Sequence, residues 1–96
     1  SKAADMQLVR NLAVEWGDRG ITANAIAPGL VKTDFARALY EDPARAERAA
    51  AAHALHRLGE PDDIAGIAVY LAAPSGRWTT GQTFVIDGGS TITSRY

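Results

Sequence analysis

The residues that follow a short apolar segment have the position of a ligand-binding loop. The segment spans residues 21–27 (ITANAIA), and its composition predicts a strand that is covered on both faces, as in a parallel sheet. Open α/β sheets bind ligands just beyond the carboxyl ends of their strands, where a proline and a glycine turn the chain here. This position predicts a ligand-binding loop over residues 28–33. A plain helix cap is a second, compatible role for Thr33.

Two other polar features are predicted to be structural. His53 and His56 lie three positions apart, and the chain contains no cysteine and no obvious third ligand. We therefore expect no metal site there, only a polar face. Asn24 interrupts the apolar segment, and a buried amide must be hydrogen-bonded, so this side chain is expected to tie adjacent loops together.

The elements that position the loop alternate between helix and strand. Apolar residues recur at steps of three and four over residues 3–16, which predicts an amphipathic helix with Gly17 in the left-handed capping position. The order of elements favours an α/β fold with a parallel sheet. The remaining elements are predicted as helices at residues 33–40, 43–52 and 61–73 and a buried strand at residues 82–86.

Size and composition limit the classes of protein to consider. One small domain over residues 1–96 is predicted, with 47% hydrophobic and 22% charged residues and a formal charge of −1. This balance gives no reason to expect a nucleic-acid or anionic-membrane partner. No apolar run approaches the roughly 18 residues of a membrane span, and no signal pattern is present. The predicted location is cytoplasmic. Because two strands do not form a stable open sheet, we expect other sequence or another chain to complete it.

Five motifs, in order along nearly the whole chain, resemble the short-chain dehydrogenase/reductase family. Ser-Lys-Ala-Ala at 1–4 resembles the end of the family's Tyr-x-x-Ser-Lys-Ala-Ala helix. RGITANAIAPG at 19–29 is continued by Val31 and Thr33, and RLGEP at 57–61 is followed by Asp63-Ile64-Ala65. The last two motifs are TGQ at 80–82 and VIDGG at 85–89. The resemblance implies the carboxyl-terminal portion of a Rossmann-type, doubly wound parallel sheet. It also implies that the amino-terminal half of the domain lies outside residues 1–96.

The resemblance further implies an NAD(P)-dependent oxidoreductase that transfers a hydride between the nicotinamide and a secondary alcohol or ketone. Lys2 is the implied catalytic residue, because the family's lysine follows a catalytic tyrosine by one helical turn. Its ammonium lowers the pKa of the phenol and bonds the nicotinamide ribose. We expect that tyrosine three positions before Ser1, so residues 1–96 alone are predicted to be inactive. From the residues alone, Lys2 is a solvated lysine at a helix start.

By the same resemblance, the backbone of Val31 binds the nicotinamide carboxamide, and Thr33 adds a hydroxyl contact to the carboxamide or a phosphate. The turn at Pro28 and Gly29 then shapes the wall around the ring. The implied cofactor is NAD or NADP. The implied partners are a small alcohol or carbonyl substrate, the amino-terminal half, and further copies in a homotetramer. The implied substrate lid comprises Phe35, Leu39 and Tyr40, for which ordinary packing of a surface helix is the alternative.

Two other interpretations stay open. Orphan strands and exposed core faces favour self-association, which predicts a truncated, non-catalytic oligomerisation or interaction module derived from the family. The third interpretation is an unrelated small α/β binding protein, and it requires all five motif matches to be coincidental.

Overall fold

The computed structural model describes residues 2–93. For Lys2 it describes the backbone but not the side chain. The chain divides into two compact units, Ser1–Ala27 with Gly66–Val85 and Pro28–Ala65 with Ile86–Tyr96. The helices are α1 (Lys2–Trp16), α2 (Arg37–Tyr40), α3 (Pro43–Ala51) and α4 (Pro61–Ala72), the strands are β1 (Ala25–Pro28) and β2 (Thr83–Ile86), and short 3-10 turns span Gly17–Arg19 and Pro74–Gly76. None of the described helices combines the length and the apolar character needed to cross a membrane.

Strands β1 and β2 pair in parallel, which confirms the predicted α/β class. The amide of Ala25 donates to the Gln82 carbonyl at 2.9 Å, and the amide of Gly29 donates to the Ile86 carbonyl at 2.9 Å, in constant register. Along β1, the N–H groups point alternately toward β2 and away from it. The nitrogen of Pro28 points away from β2, so its missing N–H costs the ladder no hydrogen bond. The strand ends at Pro28, but the bond from Gly29 continues the ladder by one residue, so the proline does not block the ladder.

The first strand starts later than predicted, at Ala25 rather than Ile21. The amide of Ala23 donates to the Thr80 hydroxyl at 3.0 Å, so the preceding segment is held by side-chain bonds rather than by a ladder. Asn24 has the structural role predicted for it. Its amide nitrogen donates to the Thr79 carbonyl at 3.0 Å, and its carbonyl oxygen accepts from the amide of Gln82 at 3.1 Å.

The first helix ends through a different glycine from the one predicted. After Trp16 the chain continues as a 3-10 turn, and the left-handed residue is Gly20, with φ 75°, rather than Gly17. The amide of Gly20 donates to the Gly17 carbonyl, and the amide of Ile21 donates to the Trp16 carbonyl. These two bonds are those of a Schellman motif.

The helices of the middle segment follow the predicted order with one correction. Helix α3 begins at Pro43, and the Asp42 carboxylate accepts from the amide of Arg45, as a helix cap does. Thr33 does not cap α2, which starts four residues later. Its hydroxyl instead accepts from the amide of Ala36 at 3.2 Å, in the turn before that helix.

Little apolar surface is buried within the described residues. Ala13 and Leu58 are their only buried hydrophobic side chains. Residues of β1 and β2 are half-buried or exposed, and Val85 is 54% exposed. The cover on both faces that was predicted for the strands is thus not supplied by residues 2–93.

The two glycines after α1 offer a matched test of this helix end. An added Cβ meets nothing within 4 Å at either Gly17 or Gly20, so only the backbone conformation distinguishes them. We expect Gly20→Ala to lower the free energy of unfolding by about 1–2 kcal/mol, because an L-residue is strained in the left-handed region. Gly17→Ala should change it by less than about 0.5 kcal/mol. Urea unfolding of both variants measures the difference, and equal stabilities would contradict the assigned motif.

Candidate functional site

The loop after β1 is held against the end of β2 by a contact that only glycine permits. A Cβ on Gly29 would lie 2.8 Å from the Asp87 Cβ and 2.9 Å from its Cα, and real Cβ atoms do not approach other atoms so closely. The backbone of Gly29 is also bonded to Ile86. The end of β1 and the start of its loop are therefore fixed from one side by the Asp87 backbone.

Two residues further along, Val31 forms an isolated parallel bridge with Gly59. The amide of Gly59 donates to the Leu30 carbonyl at 2.9 Å, and the amide of Lys32 donates to the Gly59 carbonyl at 2.9 Å. In a parallel bridge, these two bonds use the C=O and N–H of the residues on either side of Val31. The N–H and C=O of Val31 itself therefore face away from Gly59. Within residues 2–93, no hydrogen bond uses the N–H or C=O of Val31. The loop thus presents one donor and one acceptor side by side.

The segment that carries Gly59 is tied to the first turn of α4 by a bidentate ion pair. The Arg57 guanidinium donates to the two Asp63 carboxylate oxygens at 2.9 and 3.2 Å. The Asp63 carboxylate also accepts from the amide of Glu60 at 2.7 Å, the return bond of a capping box. Hydrogen bonding from Arg57, and then from the Glu60 amide, lowers the pKa of Asp63 to about 2. The same bond to Asp63 raises the pKa of Arg57.

A second carboxylate orders the turn that follows β2. The Asp87 side chain accepts from the Thr91 hydroxyl at 2.8 Å and from the amide of Gly89 at 2.9 Å. These bonds lower the pKa of Asp87, and the bond from the Thr91 hydroxyl has the largest effect. Gly88 and Gly89 both have positive φ, and a Cβ on Gly89 would lie 2.5 Å from the Ala54 Cβ. This turn therefore packs closely on the segment that follows α3.

These loops enclose a cavity of about 180 Å³ within the unit that contains α2 and α3. Its lining includes Gly29, Val31, His53, Arg57 and Asp63. His53 is buried, with 6% of its surface exposed, so the polar face predicted for it was wrong. Its Nδ1 lies 2.7 Å from the Ala49 carbonyl oxygen, which can only accept, so Nδ1 carries the proton.

The predicted binding residues Gly29 and Val31 are brought together in the wall of this cavity. Pro28 is the last residue of β1, directly before them. The Thr33 side chain is exposed, and while its oxygen accepts from Ala36, its hydrogen is still available for donation. The side chain of Lys2 lies outside the described part of the chain.

The three predicted lid residues lie on and just before α2. Phe35 is fully exposed and Leu39 is 47% exposed, so neither is packed as a core side chain. The Tyr40 hydroxyl donates to the Thr33 carbonyl at 3.1 Å, which links the end of α2 to the binding loop. Their role in covering a substrate stays a prediction.

Sequence reasoning missed the Arg57–Asp63 pair and the burial of His53. A signal for Asp63 was present, because the third position of a helix that starts with proline is where a capping-box acid lies. The pair joins residues six positions apart across a turn, which no helical or strand period would reveal. His53 is buried beside the turn after β2, where a Cβ on Gly88 would stand 3.4 Å from the imidazole Cδ2, and no sequence period reveals that contact.

The ion pair makes a prediction about acid sensitivity. Because the pKa of Asp63 is lower in the folded than in the unfolded chain, its contribution to stability is present above about pH 4 and is lost as pH falls toward 2. Arg57→Ala should move the Asp63 pKa up toward its ordinary value of 3.8. The ¹³C shift of the Asp63 carboxyl carbon, followed against pH, measures this. An unchanged midpoint in the variant would show that the pair does not set the pKa.

Comparisons with known proteins agree with the motifs in the sequence. A family model described as enoyl-(acyl carrier protein) reductase matches residues 1–91. Dehydrogenase/reductase SDR family member 4 of Bos taurus is 42% identical over 90 residues, covering 94% of this chain and 32% of the relative. The chain therefore spans about a third of the length of the curated relatives that it matches.

Solved structures give the same picture at the level of the fold. A 4-hydroxyisoleucine dehydrogenase complexed with NADH has a TM-score of 0.88 at 32% identity, over 97% of this chain and 38% of that one. A gluconate 5-dehydrogenase from Burkholderia cenocepacia, in complex with NADP and tartrate, has a TM-score of 0.83 at 34% identity. The match covers 96% of this chain and 36% of the gluconate 5-dehydrogenase.

Proposed function

The chain belongs to the short-chain dehydrogenase/reductase family, and we propose that it provides the nicotinamide-binding loop of an NAD(P)-dependent oxidoreductase. The proposed reaction is hydride transfer between the cofactor and a secondary alcohol or ketone. Similar structures contain NADH in one case and NADP in another, so both cofactors are candidates.

The observation that supports this proposal is the polar edge of Val31, which no hydrogen bond within residues 2–93 uses. A primary carboxamide carries one carbonyl acceptor and an NH₂ donor on the same carbon. The Val31 N–H can donate to the carboxamide oxygen, and the Val31 C=O can accept from its nitrogen, so the residues present fit the nicotinamide group. The flanking bonds to Gly59 hold the edge in place before the cofactor arrives, which reduces the entropic cost of binding.

The other residues take supporting roles in this proposal. The Thr33 hydroxyl can donate to the carboxamide or to a phosphate, since its oxygen is oriented by the bond from Ala36. Pro28 and Gly29 form the turn beside the ring. Lys2 would hydrogen-bond the nicotinamide ribose and favour the ionised form of a phenol one helical turn before it, so that the phenol can exchange a proton with the substrate oxygen. When bound, the cofactor supplies or accepts the hydride.

The apolar segment around α2 suits a cover over the substrate. Phe35 and Leu39 are exposed apolar side chains close in sequence to the binding loop, and Tyr40 is bonded back to Thr33. Closure of such a segment on a bound alcohol or carbonyl compound would exclude water from the hydride-transfer step.

A chimera tests the proposal. Residues 1–96 replace the matching segment of the 4-hydroxyisoleucine dehydrogenase, which supplies the remaining two thirds of an enzyme with a solved NADH complex. We expect the chimera to bind NADH. Val31→Pro should weaken binding about tenfold, because it removes one hydrogen-bond donor but none of the groups that bond Gly59. Fluorescence titration with NADH and with NADPH measures both affinities.

Val31→Ala is the matched control, since it keeps the main-chain donor and should bind within about twofold of the parent chimera. Circular dichroism establishes that each variant is folded. Failure of a folded parent chimera to bind either cofactor would refute the proposed function. Equal affinity of the proline and alanine variants would refute the role of the Val31 amide.

A second function is favoured by the exposed apolar surface. Trp78 is 94% exposed, and Leu12, Trp16, Ile21 and Ala23 line an open apolar depression in the other unit. Such surface drives association, as in a non-catalytic oligomerisation module. Sedimentation of the 96-residue chain tests this: a folded, monodisperse oligomer made of this chain alone would support the module, and a folded monomer would refute it.

A further inference from the structure

We propose that Asp63 is a positioning residue for the cofactor, because it fixes the Gly59 bridge that turns the polar backbone edge of Val31 toward the carboxamide. This inference rests on the proposed function. It assigns to the first turn of α4 a role in nicotinamide recognition, although no side chain of that turn needs to contact the cofactor.

The bridge needs support from outside itself. It consists of one residue on each side and two hydrogen bonds, both at 2.9 Å. A pairing this short contributes little net stability, because each hydrogen bond replaces one made to water. If the segment around Gly59 moved, Val31 would lose the partner that sets the direction of its N–H and C=O.

Asp63 supplies that support from both sides of Gly59. On the amino-terminal side it holds Arg57, whose guanidinium also donates to the Leu58 carbonyl at 3.0 Å. On the carboxyl-terminal side it accepts from the amide of Glu60. Leu58 itself is buried, with 5% of its surface exposed. The residues on either side of Gly59 are therefore held by one carboxylate, and the bridge residue lies between them.

The fit between Gly59 and Val31 is also tight. A Cβ on Gly59 would lie 3.3 Å from the Val31 Cγ2, closer than most real Cβ contacts. A displacement of the Gly59 segment would thus shift the Val31 backbone directly.

The other ion pair near the bridge is a weaker candidate. Lys32 and Glu60 approach to 3.4 Å, and both side chains are about half exposed, so solvent screens the pair. The Arg57–Asp63 pair is also partly exposed, at 53% and 35%, but it is bidentate, and Asp63 accepts a backbone bond as well.

The test measures recognition of the carboxamide rather than overall affinity. The chimera is titrated with NADH and with the reduced 3-acetylpyridine analogue, in which a methyl group replaces the NH₂ donor. Loss of one hydrogen bond should make the analogue bind about five- to tenfold more weakly in the parent. We expect Asp63→Asn to reduce this ratio to about twofold or less, because the edge of Val31 is no longer held in one direction.

Two further variants separate positioning from general stability. Asp62→Asn removes a charge from the same helix turn, and Asp62 has no part in the pair, so the ratio should stay at the parent value. Asp63→Glu retains both the carboxylate and the capping bond and should restore the ratio. If Asp63→Asn does not fold, Arg57→Lys replaces it, since lysine keeps the charge but not the bidentate fork.

Amide hydrogen exchange in the full 96-residue chain gives a second measurement. The amides of Lys32 and Gly59 should exchange at least tenfold faster in Asp63→Asn than in Asp62→Asn. A folded Asp63→Asn variant with the parent ratio and parent exchange rates would overturn the inference. The proposed function would survive that result if NADH binding still depended on the Val31 amide, so the two failures are distinguishable.

Discussion

The close approach of Gly29 to the backbone of Asp87 is the constraint on which the binding loop depends. With any side chain at position 29, a Cβ would stand 2.8 Å from the Asp87 Cβ, and the ends of the strands would have to separate. The bond from Gly29 to Ile86, which continues the ladder past Pro28, would then be lost. Glycine is needed here for the space beside its Cα, and its backbone needs no unusual φ.

Two carboxylates order the backbone segments that hold the loop. Asp87 contacts Gly29 through its backbone and Cβ, and its carboxylate oxygens are engaged by the turn that follows. Asp63 acts from the other direction, through the segment that bridges to Val31. Both carboxylates have lowered pKa values because hydrogen-bond donors surround them, so both remain ionised as the pH falls below neutral. Neither is arranged to act as a general base; each orders backbone.

What could be predicted from the sequence follows from how local each signal is. Helix α3 is set by Pro43 and the preceding Asp42, which are adjacent, so its start was predictable. The start of β1 was not, because it is decided by bonds from Ala23 and Asn24 to residues more than 50 positions away. The choice of Gly20 over Gly17 depends on whether α1 tightens into a 3-10 turn, and both glycines suit a helix end equally well by type.

The site divides in the same way. Gly29 and Val31 were predictable from their place after a strand, since that rule concerns the topology of sheets and not particular contacts. The free edge of Val31 was not predictable, because it requires knowing that Gly59 occupies the opposite edge. The geometry that would bind the carboxamide is nevertheless made from contacts within one unit of this chain. The apolar side chains that remain exposed, Phe35 and Trp78 among them, have no such internal partners in the described part of the chain. The proposed carboxamide recognition thus rests on contacts that this unit makes itself, whereas the proposed hydride transfer also requires a phenol one helical turn before Lys2.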